Sequence, residues 1–266
     1  MALPRIGPAA RQSGSLTSDR PSPAQPPAGL RDAPPARRNQ AGFTNLTRHA
    51  RGLFCDMDFL AAPRSWSRYV ALGDSLTAGR GDFGPDGRPV GWARRLAGLL
   101  TDRTGVNCAL TNLAADGATI RRVLTDQLPH LRDLDPDLVS ATVGMNDIRG
   151  REFSPGEFAA DVGQLLDALT QTGATVLTCT LPDIADVVPL PPEYVAIARR
   201  RLAQASDIIR EQAAVRGAVC LDTWAMKDVA SRPDLFTADR LHPNARGHRM
   251  LAAVFAGLLL PAQSAA

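Results

Sequence analysis

The sequence predicts an α/β fold with a parallel sheet covered on both faces by helices. Three observations carry this. Five short β-rich runs alternate with helical patterns from Tyr69 to Leu260, the order of βα units rather than of hairpins. No polar break interrupts that alternation, so about 200 residues form one domain that buries roughly 70% of its extended-chain surface. The segments rich in Gly, Ser, Asn and His follow a strand directly or lie in a late loop, where parallel sheets place their reactive loops.

The elements follow in order. Tyr69–Leu72 is an apolar run ending at Gly73, the first strand. Trp92–Thr101 has helical spacing, with Trp92, Leu96 and Leu99 or Leu100 on one face. Val106–Leu113 is the second strand. Ala118–Leu131 reads as a helix disturbed by Pro129, and Leu138–Val143 as the third strand. Ser154 caps the next helix, Pro155 is its first residue and Glu157 completes a capping box. That helix runs to about Thr172 and Gly173 stops it. Thr175–Thr180 is the fourth strand. Glu193–Val215 is a long amphipathic helix closed by Gly217. Val219–Asp222 is the fifth strand, and Ala245–Leu260 the closing helix.

Residues 1–64 are expected to form a disordered N-terminal extension, and 65–262 the folded domain. Residues 1–56 hold eight of the 21 prolines, eight arginines, no lysine and three acids, with no sustained apolar periodicity. The Arg-rich, acid-poor character suggests a transit peptide, but the proline density argues against an amphipathic helix. Met57 stands a natural distance before the first strand for a start. The extension is therefore read as a disordered appendage or as the product of too early a start; an arginine-rich docking arm is the competing reading. The other 210 residues carry 22 basic and 24 acidic side chains. The chain's pI of about 8.9 thus reflects its first quarter, and no nucleic-acid partner is expected.

Cys108, Cys179 and Cys220 each lie in a short apolar run, as reduced core cysteines do; Cys55 precedes the domain. With no CxxC pair, neither a zinc nor a redox site is expected. No run reaches the roughly 20 apolar residues of a membrane span, and no apolar signal core opens the chain. The expected location is cytoplasmic, without stable membrane insertion.

Four segments carry chemistry. Gly73-Asp74-Ser75-Leu76-Thr77-Ala78-Gly79 follows the first strand. A serine at a helix start has a backbone N–H free to meet an anion, and the helix dipole favours negative charge there; Asp74 or Ser75 could equally serve as a cap. Asp239-Arg240-Leu241-His242-Pro243 lies late in the chain. A neutral histidine acting as base needs a carboxylate or carbonyl on its other ring nitrogen, and Asp239 can supply it within one turn; the bland alternative is a solvated turn. Of the other histidines in the folded part, His130 and His248 are read as surface or packing residues. Gly144-Met145-Asn146-Asp147 follows the third strand. The Asn146 amide can donate to an oxyanion or form an ordinary Asn-Asp turn. Asn112-Leu113-Ala114-Ala115-Asp116-Gly117-Ala118 follows the second strand, and Gly117 can present a bare N–H to a substrate oxygen.

Together, in this order, the four segments resemble the GDSL/SGNH hydrolase family, whose name-giving residues are matched at Ser75, Gly117, Asn146 and His242. The resemblance covers residues 69 to about 258. It implies a three-layer α/β/α fold with a five-stranded, flavodoxin-like parallel sheet. It implies Ser75 as nucleophile and His242 as general base and then acid, oriented by Asp239. The oxyanion hole would be the Ser75 and Gly117 N–H groups and the Asn146 side chain, with Asp74 and Asp147 as loop supports. The expected activity is cleavage of a small-molecule carboxylic ester, with no cofactor and no metal. Acyl transfer to an alcohol through the same acyl-serine is the second reading, and a non-catalytic binding module the third. A GxSxG elbow would need glycine at Thr77, no HExxH occurs, and the lone lysine, Lys227, lies far in sequence from Ser75. The loops after Gly79 and after Leu181 are expected to shape the pocket.

Overall fold

The computed structural model describes residues 65–150 and 152–260. The expectations for residues 1–64, including Cys55 and the start at Met57, lie outside the described residues, as do 261–262 at the far edge of the predicted domain.

Five parallel strands form one sheet in the order β2-β1-β3-β4-β5, the flavodoxin order. They are β1 (Arg68–Gly73), β2 (Ala109–Asn112), β3 (Leu138–Thr142), β4 (Thr175–Cys179) and β5 (Val219–Leu221). Val70 pairs with Thr111 on one side and Val139 on the other. The alternation of side chains along β1 sends Tyr69 and Ala71 to one face and Val70 and Leu72 to the other. All four are buried, because helices cover both faces.

On the Tyr69 face lie α1 (Gly91–Thr104) and, from later in the chain, a helix over Ala245–Leu259. Trp92 stacks on Phe255 between them, with ring centroids 4.8 Å apart. Such a pair adds about 0.5–1.5 kcal/mol beyond its buried area. On the Val70 face lie α2 (Pro155–Thr170) and α3 (Pro192–Ala214), which bury Phe158, Leu166, Leu202 and Ile209 among others. The helix over Ala245–Leu259 is α4. Ser154 caps α2 as expected, its hydroxyl accepting the Glu157 N–H at 3.3 Å.

Two predicted elements differ. The second strand begins at Ala109, not Val106. Gly105 closes α1 in the left-handed region (φ +71°). The Val106 N–H then bonds the Thr104 hydroxyl, and the Cys108 N–H bonds the Thr101 hydroxyl. These amides are used on the helix end before pairing with β1 begins. The predicted helix over Ala118–Leu131 is instead three short turns: α over Ile120–Arg122, π over Val123–Gln127 and 3₁₀ over Leu128–Asp133. Pro129 has no N–H to continue an α-ladder and would crowd the carbonyl four residues back. The wider π turn rolls Gln127 into the core, where only 3% of it is exposed.

The strand order reverses between β1 and β3, the crevice where ligands sit in such sheets. Ser75 leaves β1 and Asn146 leaves β3 on that crevice.

Candidate active site

Ser75 opens a single helical turn, Ser75–Ala78. Asp74 caps it, its Oδ1 accepting the Leu76 N–H at 3.0 Å. As the first helical residue, Ser75 has a backbone N–H with no acceptor inside the turn. The chain reaches this turn through Gly73, whose φ of +143° and close approach to the Thr142 carbonyl leave no room for a side chain: a Cβ there would lie 2.3 Å from that oxygen. Gln127 holds Gly73 from the other side. Its Nε2 donates to the Gly73 carbonyl and its Oε1 accepts the Gly73 N–H, each at 2.9 Å.

His242 lies on a loop wound around one carboxylate. Asp239 Oδ1 accepts the Thr237 hydroxyl at 2.6 Å and the N–H groups of Leu241 and His242 at 2.9 and 3.0 Å. Its Oδ2 is 2.7 Å from His242 Nδ1. Partial burial alone would raise this carboxyl; these donors outweigh it and hold Asp239 well below the usual carboxylate range. Asp239 therefore stays ionised and accepts the Nδ1 proton. The His242 Nε2 lone pair is then left for the Ser75 hydroxyl, 2.8 Å away. The Ser75, His242 and Asp239 of the sequence reading come together in one continuous chain of hydrogen bonds.

Asn146 adjoins them. Its Nδ2 donates to the Ala118 carbonyl at 3.0 Å and lies 3.4 Å from Asp74 Oδ2. Gly117 immediately precedes Ala118, is exposed, and its N–H has no acceptor among the described residues. Asp147 turns away from the crevice and accepts the Ile120 N–H at 3.1 Å. Asp74 is buried and its pKa is raised to about 7. Burial is the largest cause, the Leu76 N–H opposes it, and the charges of Asp147 and Asp116 add to it. Asp147 is raised too, chiefly by burial against the opposing Ile120 N–H.

The Ser75 and His242 loops are clamped together by residues 79–92. Gly81 passes so close to the Pro243 carbonyl that a Cβ on it would sit 2.2 Å away. Fully buried His248, on α4, accepts the Trp92 N–H at Nδ1 (3.1 Å) and donates from Nε2 to the Arg80 carbonyl (2.9 Å). Asp82, also buried, takes a bidentate ion pair from Arg95 at 2.7 and 2.9 Å. His248 is thus a packing residue, as read, but one bonded at both ring nitrogens. His130 is exposed. The roles of Gln127 and the 79–92 clamp had no motif to announce them.

An apolar cavity of about 150 Å³ opens beside Ser75 and His242. Of the two loops expected to shape it, the one after Leu181 contributes Pro182 and Ile184, whereas residues 80–91 do not line it. Much of the wall comes instead from Met226–Phe236 and from the Gly247–Val254 stripe of α4, which no motif marked.

Cys108, Cys179 and Cys220 are free thiols. Burial raises each, Cys108 to about 11 and Cys220 to about 12, so they stay protonated and inert at neutral pH. Among the described residues no group of three or more His, Cys, Asp or Glu side chains could hold a metal ion. No helix among them is long and apolar enough to cross a membrane.

Residues 71–250 match the GDSL-like Lipase/Acylhydrolase family. The chain belongs to that family, which places it among the hydrolases of ester bonds. It is 25% identical over 209 residues to an acetylxylan esterase of Geobacillus stearothermophilus, covering 72% of this chain and 93% of that protein. It is 28% identical over 190 residues to a GDSL lipase of Mycobacterium tuberculosis, covering 71% and 80%. In structure it is similar to an α/β-hydrolase enzyme from the metagenome of Lake Arreo, with a TM-score of 0.61 and 23% identity over 73% of this chain and 95% of that one. It is also similar to the solved Geobacillus acetylxylan esterase, with a TM-score of 0.59 and 20% identity over 74% and 95%. These likenesses agree with the five-stranded three-layer fold.

Proposed function

We propose that this protein hydrolyses small-molecule carboxylic esters through an acyl-serine intermediate, with Ser75 as nucleophile, His242 as general base and acid, and Asp239 as the group that orients His242. One observation carries the reading: Ser75 Oγ lies 2.8 Å from His242 Nε2, whose other ring nitrogen lies 2.7 Å from Asp239.

In the first step Ser75 Oγ bonds the ester carbonyl carbon, its proton passes to His242 Nε2, and the carbonyl electron pair moves onto oxygen. The Asp239 carboxylate stabilises the imidazolium without taking its proton. Collapse of the oxyanion breaks the bond to the alkoxy oxygen, which leaves as alcohol with the proton from Nε2. Water repeats the sequence on the acyl-serine and releases the acid. The oxyanion is met by the N–H groups of Ser75 and Gly117 and by Asn146 Nδ2. The Asn146 bond to Ala118 orients the amide, and the 3.4 Å contact with Asp74 is long enough for that second proton to turn to the substrate. Asp74 and Asp147 support the loops.

The test is fluorophosphonate labelling of the purified chain together with turnover of p-nitrophenyl esters. Ser75→Ala should remove both. Labelling of that variant at a different serine would overturn the assignment.

A further inference from the structure

Resting on that reading, we infer that the ester carries a medium-length apolar acyl chain of about six to eight carbons, housed in the cavity along α4, rather than an acetyl group. The size of the space comes first. An apolar cavity of 150 Å³ accepts a benzene-sized guest, so the 150 Å³ beside Ser75 takes about six carbons. An acetyl group would leave most of it empty.

Its shape agrees. The wall follows α4 from Gly247 through Met250 and Leu251 to Val254. That is about 10 Å of helix at 1.5 Å per residue, the reach of a chain of about eight carbons leading away from His242.

Its chemistry agrees too. Met145, Met226 and Met250 all line the cavity, and they are all the methionines among the described residues. Thioether side chains adapt to the many conformers of a flexible apolar guest. The wall's hydroxyls are already engaged. Thr142 bonds Thr77, Thr180 bonds Asp222, and Thr223 donates to the Thr180 carbonyl. Beyond exposed Arg149 and the Asp74 and Asn146 groups beside Ser75, the lining is apolar, so a sugar ring filling this space would bury hydroxyls without partners.

The occupant is the acyl chain rather than the alcohol. The alcohol must leave and water must enter beside His242, whose partner Asp239 has a side chain 44% exposed. The acyl chain stays on Ser75 through that exchange and belongs in the apolar space.

The experiment measures kcat/KM of the full chain on p-nitrophenyl acetate, butyrate, hexanoate, octanoate and palmitate, and on hexyl acetate against ethyl acetate. We expect kcat/KM to rise up to roughly fourfold per added methylene, to peak at hexanoate or octanoate and to fall at palmitate. Hexyl acetate should show no comparable gain over ethyl acetate. Val254→Trp, which fills the end of the cavity, should lower the octanoate-to-acetate ratio at least tenfold. Should that variant not fold, the wild-type series decides alone. Acetate as best substrate, a gain with alcohol length equal to that with acyl length, or an unchanged ratio in a folded Val254→Trp would each overturn the inference while leaving the esterase reading in place. Absence of both turnover and Ser75 labelling would instead overturn the proposed function.

Discussion

Gln127 and Gly73 form a closed pair: one side-chain amide satisfies both the N–H and the carbonyl of a single glycine, each at 2.9 Å. The pair lies two residues before Ser75, at the point where β1 ends. It substitutes for a strand neighbour and so sets the direction in which the chain enters the Ser75 turn.

Gln127→Met keeps the volume and removes both bonds. The Gly73 carbonyl retains the Ala115 N–H at 3.2 Å, but the buried Gly73 N–H is orphaned. We predict a loss of roughly 1–3 kcal/mol of stability, read by urea denaturation. Because Ser75 moves with Gly73, kcat should fall while KM changes little. A stable variant with normal kcat would mean that the pair does not set the serine's position.

Asp74 gives a pH dependence of stability. The folded protein holds its proton up to about pH 7, whereas the unfolded chain releases it near pH 4. Folding takes up a proton between those values, so this group lowers stability as pH rises through them. Asp74→Asn retains an oxygen to cap Leu76 and removes the buried charge beside Asp147 and Asp116. Its Tm relative to wild type should therefore be higher at pH 8 than at pH 5. An equal difference at both would place the Asp74 proton elsewhere.

His248 works in the opposite sense. Burial, its largest influence, holds it below the ordinary histidine value; the Arg80 carbonyl and Asp82 oppose that, and Arg95 and His242 add to it. The unfolded chain gains a proton near pH 6.5, so this stabilisation is complete above that pH and is lost below it. Protonated Nδ1 could no longer accept the Trp92 N–H. We predict that the fall in Tm between pH 7.5 and pH 5 is shallower in His248→Gln than in wild type. Matching slopes would assign the acid sensitivity to other groups.

Two substitutions test the proposed chemistry directly. Asn146→Ala should reduce kcat by roughly 10²–10³ with less effect on KM, as for other oxyanion donors. Asp239→Asn should cost on the order of 10⁴ in kcat, the effect of a wrong histidine tautomer. A small loss for Asp239→Asn would show that the backbone around Thr237–His242 already fixes the ring.

The residues that carry the fold and the Ser75–His242–Asp239 chain of hydrogen bonds were legible because each has a local signature. Ser154-Pro155 with Glu157 announces a helix start, and Tyr69–Leu72 a buried strand. Asp239 sits within one turn of His242. Gln127 was not legible, since its inward turn depends on a π bulge set by Pro129 two residues on. Nor were Met226 and Val254. Val254 reads as one more apolar position of the closing helix, and Met226 lies where the sequence predicts no element; only the packing of α4 beside the 226–236 segment makes them a wall of the cavity.

Ser75 and His242 are 167 residues apart in sequence. Ser75 follows the first strand of the sheet, whereas His242 lies just before the last helix, the one that also carries His248. During synthesis Ser75 is made early and stays without its hydrogen-bond partner His242 until nearly the whole domain has been translated. On the proposed roles the nascent chain would be silent toward esters, and reactivity with fluorophosphonate would time the docking of α4. A chain ended just before Ala245 would retain Ser75, Asp239, His242 and the close approach of Gly81 to Pro243, yet lack His248 and its bonds to Trp92 and Arg80.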